Sequence, residues 1–208
     1  ALAVTPDAKM AVTAPTGTNG GFDLGLLTLD GTREQRPLLE TPFNEQGASL
    51  SPDGRWMAYT SSETGSDEVY VRAFPEGGAK VVVSRGGGSE PVWNRTGREL
   101  FYIGQKDGAP YLVSASVSAG QEFSVDSRTF LFDASVFEPS QPHSNYDVSP
   151  DGSRFVMVHQ GTIPELVYVL NWAEEVRRAR LRAEQARRAE KAAATAAAAA
   201  ATGASQRE

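Results

Sequence analysis

Short apolar stretches recur along most of this 208-residue chain, and within them large side chains fall on alternate positions. RWMAYTS (55–61), RELFYIG (98–104) and SRFVMVH (153–159) show the pattern most clearly. A period of two, carried by β-branched and aromatic residues, marks half-buried strands. Met57 and Tyr59, Leu100 and Tyr102, and Phe155 and Met157 hold equivalent places in these stretches. The pattern predicts that they face the same layer of core. A further strand follows in each repeat: LGLLTLDG (24–31), DEVYVRAF (67–74), PYLVSASV (110–117) and ELVYVLNW (165–172). Shorter fourth strands are visible in AKVVVS (79–84) and RTFLF (128–132).

One turn phrase precedes these strands four times. It reads Thr5-Pro6-Asp7-Ala8-Lys9, Ser51-Pro52-Asp53-Gly54-Arg55, Asn94-Arg95-Thr96-Gly97-Arg98 and Ser149-Pro150-Asp151-Gly152-Ser153. The starts lie 46, 43 and 55 residues apart. Pro52 and Pro150 preset φ, Asp53 and Asp151 can bond back to the backbone, and Gly54, Gly97 and Gly152 supply a positive φ. The phrase is therefore a hairpin turn. Two repeats depart from it: Ala8 stands where the others have Gly, and Arg95-Thr96 replaces Pro-Asp. Four strands in each repeat of this length describe one blade of a β-propeller.

The expected fold is all-β, with about four four-stranded blades at residues 1–41, 42–86, 87–134 and 135–172. A four-bladed closed ring is allowed, and part of a larger ring is the favoured reading. The character of the sequence changes at Trp172. Strong helix formers follow, and Val176 and Leu181 are the only large apolar residues beyond that point. Such a stripe is too thin to bury. Residues 173–191 are read as a charged, solvent-exposed helix and 192–208 as an Ala-rich disordered tail.

Charge narrows the partners. Residues 1–171 hold 12 Lys/Arg against 21 Asp/Glu, while 172–208 hold 8 against 5. Nucleic-acid binding needs basic patches that displace counterions, so the acidic body is a poor candidate for it. No run of 18 apolar residues exists to span a membrane. The absence of cysteine removes disulfides, thiolate metal sites and cysteine nucleophiles.

The phrases SPDGRWMAYTSSETGSDEVYVRAFPEGG, GGGSEPVWNRTGRELFYIG, YDVSPDGSRFVMV and ELVYVLNW resemble TolB-type, WD-repeat-like β-propellers. More narrowly, GSEPVW, YDVSPDG and VLNW resemble the C-terminal propeller of large bacterial proteins in which it follows a serine/threonine protein kinase domain. The resemblance covers residues 1 to about 172. It implies a C-terminal part of a longer protein, acting as a non-catalytic sensor or regulatory module for a protein or peptide partner. It places that module on the extracytoplasmic, periplasmic face of a membrane, with the cytoplasm as the alternative. A TolB-like periplasmic scaffold is the second reading, and the propeller of a prolyl-oligopeptidase-like peptidase the third.

Motifs for chemistry are few. No Gly-x-Ser-x-Gly elbow, Gly-x-Gly-x-x-Gly loop, His-Arg-Asp or Asp-Phe-Gly occurs, so neither hydrolase nor kinase activity is expected of this chain. RGGGSEP (85–91) lacks the Lys of a phosphate cradle and reads as a tight turn between blades. His143 and His159 read as non-catalytic, and neither a metal nor a cofactor is expected. Trp56 and Trp93 read as packing between blades. The candidate partner-binding residues lie where the innermost strand of each blade begins: Gln46 with Gly47, Ser89 with Glu90, and Ser144 with Asn145.

Overall fold

The computed structural model describes residues 2–17 and 20–161, together with the backbone of one further strand, Glu165–Val169. Four antiparallel sheets follow one another along the chain, each built from strands in sequence order. The first contains β1 (Ala3–Val4), β2 (Met10–Thr13), β3 (Leu24–Thr28) and β4 (Gln35–Leu39). The second contains β5 (Glu45–Leu50), β6 (Trp56–Ser61), β7 (Glu68–Ala73) and β8 (Lys80–Val82). The third contains β9 (Gly88–Trp93), β10 (Glu99–Lys106), β11 (Ala109–Ala119) and β12 (Phe123–Asp133). The fourth has three strands among the described residues: β13 (Tyr146–Val148), β14 (Phe155–His159) and β15 (Glu165–Val169). Neighbouring sheets meet through their first strands, β1 with β5 and β5 with β9, so these are the inner edges of β-propeller blades.

The turn phrase closes each first hairpin as its residue types require. In the second blade the Gly54 amide donates to the Ser51 carbonyl at 2.8 Å with φ at +70°. Asp53 accepts from the Ser51 hydroxyl at 2.6 Å and from the Arg55 amide at 3.1 Å. The fourth blade repeats this with Ser149, Asp151 and Gly152. The departures still form the turn. Ala8 takes φ +56°, and in the third blade the Asn94 side chain accepts from the Thr96 amide at 3.2 Å. Successive turns also stack: a Cβ on Gly54 would stand 3.0 Å from Pro6, and one on Gly97 3.7 Å from Pro52.

Between the sheets lie apolar seams. Val12, Leu24 and Leu26 of the first blade pack against Met57, Tyr59 and Tyr70 of the second. Trp56, Ala58, Val69 and Val71, on the other face of the second blade, pack against Leu100, Tyr102 and Val113 of the third. Trp56 and Trp93 both pack against Phe123, with ring centroids 5.6 and 6.1 Å apart. Phe101 meets Phe155 edge-on at 4.9 Å, starting the third seam. The expectation of one shared core layer needs correction. Each equivalent pair faces the preceding blade, so Met57 with Tyr59, Leu100 with Tyr102, and Phe155 belong to successive seams.

Two strands add to the sequence reading. β4 (Gln35–Leu39) supplies the fourth strand of the first blade from a segment whose apolar run Pro37 breaks; as the outermost strand it needs no donor at that position. β12 runs for 11 residues rather than the five of RTFLF, because its exposed Ser- and Asp-rich half pairs with a long β11 through two register shifts. The expected helix at 173–191 and tail at 192–208 lie outside the described residues.

The turn geometry generates a paired prediction. Gly54→Val should lower stability by about 1–3 kcal/mol, since it combines a positive φ with the approach to Pro6. Ala8→Gly should raise it by up to about 1 kcal/mol by relieving a left-handed alanine. Thermal unfolding of each variant reads both signs.

Candidate functional site: a groove on the loop face

The inner strands carry matching irregularities at the end opposite the Ser-Pro-Asp-Gly turns. In β5, Gln46 pairs with Thr60 and Ser49 with Ala58, leaving Gly47 and Ala48 as a bulge. In β9, Ser89 pairs with Ile103 and Val92 with Phe101, leaving Glu90 and Pro91. Gly47 and Glu90 both adopt positive φ, +62° and +54°. A bulge re-aims the side chain it carries. In the third blade that side chain is a carboxylate.

Glu90 is 5% exposed, and two backbone donors reach its side chain. The Ser140 amide donates to one oxygen at 3.1 Å and the Asn145 amide to the other at 2.8 Å. The Tyr146 hydroxyl donates to the Glu90 carbonyl at 2.8 Å. These bonds fasten the connection 134–145, which runs from β12 to β13. Its first part extends the ladder of β14: the Glu138 amide donates to the Val158 carbonyl at 2.9 Å, and the Gln160 amide to the Val136 carbonyl at 2.8 Å. The ladder resumes where the Val158 amide donates to the Asn145 carbonyl at 3.1 Å. In between, residues 139–144 leave the sheet and pass β9 to reach β5, where the Gly47 amide donates to the Pro142 carbonyl at 2.7 Å. One excursion thus ties the fourth blade to the third and the second.

Between this connection and the third blade is a groove of about 300 Å³. Ser89, Glu90 and Asn145 line it, with Phe137, Tyr146 and Met157 among its apolar walls. The structure therefore brings three of the six sequence-derived candidates together, while Gly47 stands in the β5 bulge. Gln46 stands apart from the groove. It is buried, its amide nitrogen lies 3.5 Å from Asp67, and its side-chain oxygen has no partner. Ser144 belongs to the excursion and is half-buried without lining the groove. The candidate list omitted Phe137, Glu138, Gln105 and Gln160, which also line the groove. The 55-residue spacing before the fourth turn was the available signal for them, since β11, β12 and the connection 134–145 take up the extra length.

The electrostatics of this end are those of buried acids. Burial pushes the Glu90 carboxyl above its usual range, against the pull of the two amides and of nearby His143. Burial likewise raises Glu45, where Thr41 and Ser61 hydroxyls bond one oxygen and the other is buried without a partner. His143 is exposed, with Nδ1 3.0 Å from the Ser140 hydroxyl; no described group bonds its other ring nitrogen. His159 ends β14 and packs edge-on against Phe137. Among the described residues no three His, Asp or Glu side chains gather as metal ligands, and no helix is long and apolar enough to cross a membrane.

Two outcomes follow. Glu90→Gln leaves one oxygen and an NH2 facing two amide donors, so it should cost about 1–3 kcal/mol and speed hydrogen exchange at Ser140 and Asn145. Replacing Glu45 should act in the opposite sense, because its second oxygen has no donor to lose. A carboxyl with a raised folded pKa contributes stability that is complete below its unfolded value and lost as pH rises through the folded one. Glu45→Gln should therefore raise the melting temperature at pH 7, with a smaller gain at pH 4.

No curated protein matches this sequence. Solved structures with the same fold include TolB from Acinetobacter baumannii, 16% identical with a TM-score of 0.61, where the match covers 81% of this chain and 40% of TolB. A protein assigned as TolB from Agrobacterium tumefaciens is 17% identical with a TM-score of 0.62, over 81% of this chain and 60% of the other. A puromycin-hydrolysing peptidase of Mycobacterium tuberculosis is 18% identical with a TM-score of 0.57, over 79% of this chain and 28% of the peptidase. The chain thus spans less than two thirds of each. At such identities the likeness establishes the fold and leaves the chemistry open. Residues 30–203 match the lipoprotein LpqB β-propeller domain, and the chain belongs to that family.

Proposed function

We propose that this chain is a non-catalytic binding module whose loop face takes a protein or peptide partner. The groove between the third blade and the connection 134–145 carries the reading, because it joins an apolar floor to a few converging polar groups. Ser89, Glu90 and Asn145 are its contact residues in this reading, while Gln46 and Ser144 lie outside the groove. The polar groups favour binding over catalysis. Glu90 holds backbone amides rather than the His143 ring, so Ser140, His143 and Glu90 do not form a nucleophile, base and orienting acid.

The chain spans 40% and 60% of the two TolB-type structures, which supports reading blades 1–41, 42–86, 87–134 and 135–172 as part of a larger ring. The family description names a lipoprotein, and by that analogy the module works at the extracytoplasmic face of a bacterial membrane. GSEPVW, YDVSPDG and VLNW support a sensor or regulatory role beside a serine/threonine kinase-like domain. The TolB likeness supports a second reading, a scaffold in an envelope complex.

A photo-crosslinking residue at Phe137, introduced into the protein in its source cells, should capture a discrete partner. The same residue at Glu122, in the turn between β11 and β12, should not. Equal capture at both positions, or none at Phe137, overturns the loop-face reading. The mass of the parent chain then separates its forms: kinase peptides on the same chain support the sensor, and their absence favours the scaffold.

A further inference from the structure

We infer that the groove takes the Lys or Arg side chain of an extended cationic peptide segment, an inference that rests on the binding role proposed above. None of its fourteen lining residues is Lys, Arg or His, while Glu90 and Glu138 both line it. The cation nearest in sequence, Lys106, does not line it: its ammonium lies 5.1 Å from the Tyr111 ring centre and 5.7 Å from that of Phe130. With Glu138 exposed at its edge and no Lys, Arg or His in its lining, the groove favours a positive ligand over an acidic one.

Shape and floor define the ligand further. About 300 Å³ is at the small end of ligand pockets, so the groove holds one or two side chains of a longer chain rather than a whole compact metabolite. Lys and Arg bury an aliphatic stem and keep the charged head among polar groups. Phe137 offers apolar surface for the stem, backed by buried Met157. Glu138, which is exposed, and the amides of Gln105 and Asn145 offer acceptors for the head. Phe137, half-buried at the groove, adds an aromatic ring suited to a guanidinium. Val136, 52% exposed beside Phe137, extends the apolar rim along which a peptide backbone can lie. The acidic body, 21 carboxylates against 12 Lys/Arg over residues 1–171, draws such a peptide in from solution.

The test uses the whole 208-residue chain, 15N-labelled, and three blocked hexapeptides of Ala alternating with Lys, Glu or Gln. The Lys peptide should shift the amides of Ser89, Gln105, Asn145 and Gln160, and the Glu peptide should not. Glu138→Lys should weaken the Lys peptide by about tenfold, as expected for reversing one close charge. Glu138 uses only its backbone in the ladder, so this variant keeps the fold. Glu122→Lys makes the same change of net charge in the turn between β11 and β12, and should weaken binding far less. Equal losses in the two variants would reduce the attraction to diffuse charge and overturn the inference. Equal shifts from the Glu or Gln peptide would also overturn it, while leaving the groove as a binding site. If none of the three peptides moved a groove amide, the binding role of the groove would fall as well.

Discussion

A carboxylate taken out of water must find donors or give up its charge, since burying it unpaired costs several kcal/mol. Glu90 finds its donors in two amides of one connection, five residues apart in sequence. That arrangement fixes more than a side chain. It holds residues 139–144 off the sheet, sets the spacing between the connection and the third blade, and so shapes the groove. The positive φ of Glu90 belongs to the same device. A backbone bulge that Gly47 occupies without strain in β5 is imposed on Glu90 in β9, and the surrounding bonds hold it there.

The two ends of the blades treat charge in opposite ways. At the turn end, the hydroxyl of Thr5 holds Asp7 below the usual carboxylate range, and that of Ser149 holds Asp151 at about 2. Asp53 is also lowered, by Ser51 and Arg55 against a desolvation that pulls the other way. At the loop end, burial raises Glu45, Asp67 and Glu90. Lowered carboxyls contribute stability that is lost as pH falls through their folded values; raised ones contribute stability lost as pH rises through theirs. The carboxyls of the turns thus lose their contribution toward acid, and those of the loop face lose theirs as pH rises.

The sequence made the turns legible because each depends on local chemistry. A proline, a short acid and a glycine within five residues are enough to specify a hairpin, and their repetition specifies blades. Trp56 and Trp93 were legible as packing for a similar reason, being large aromatics inside strands. β4 was hidden by Pro37, whose meaning reverses when its strand is outermost. The candidates Ser89, Glu90 and Asn145 followed from the blade alignment, but their environment did not. That Glu90 would hold two amides from fifty residues downstream is a tertiary fact, and no local pattern encodes it.

Repetition explains why the groove lies where it does. Where successive blades follow the common pattern, their connections are short, as with the five residues between β8 and β9. The third-to-fourth connection has twelve, and its excess cannot be absorbed by a strand. Such a length is tolerated at modest entropic cost but must be anchored if it is to be ordered. Here the anchors are a glutamate at a bulge and a free amide on an inner strand, both supplied by earlier blades. The longest departure from the repeat thus becomes one wall of the groove, while the regular blades supply the rigid floor that gives the wall its position.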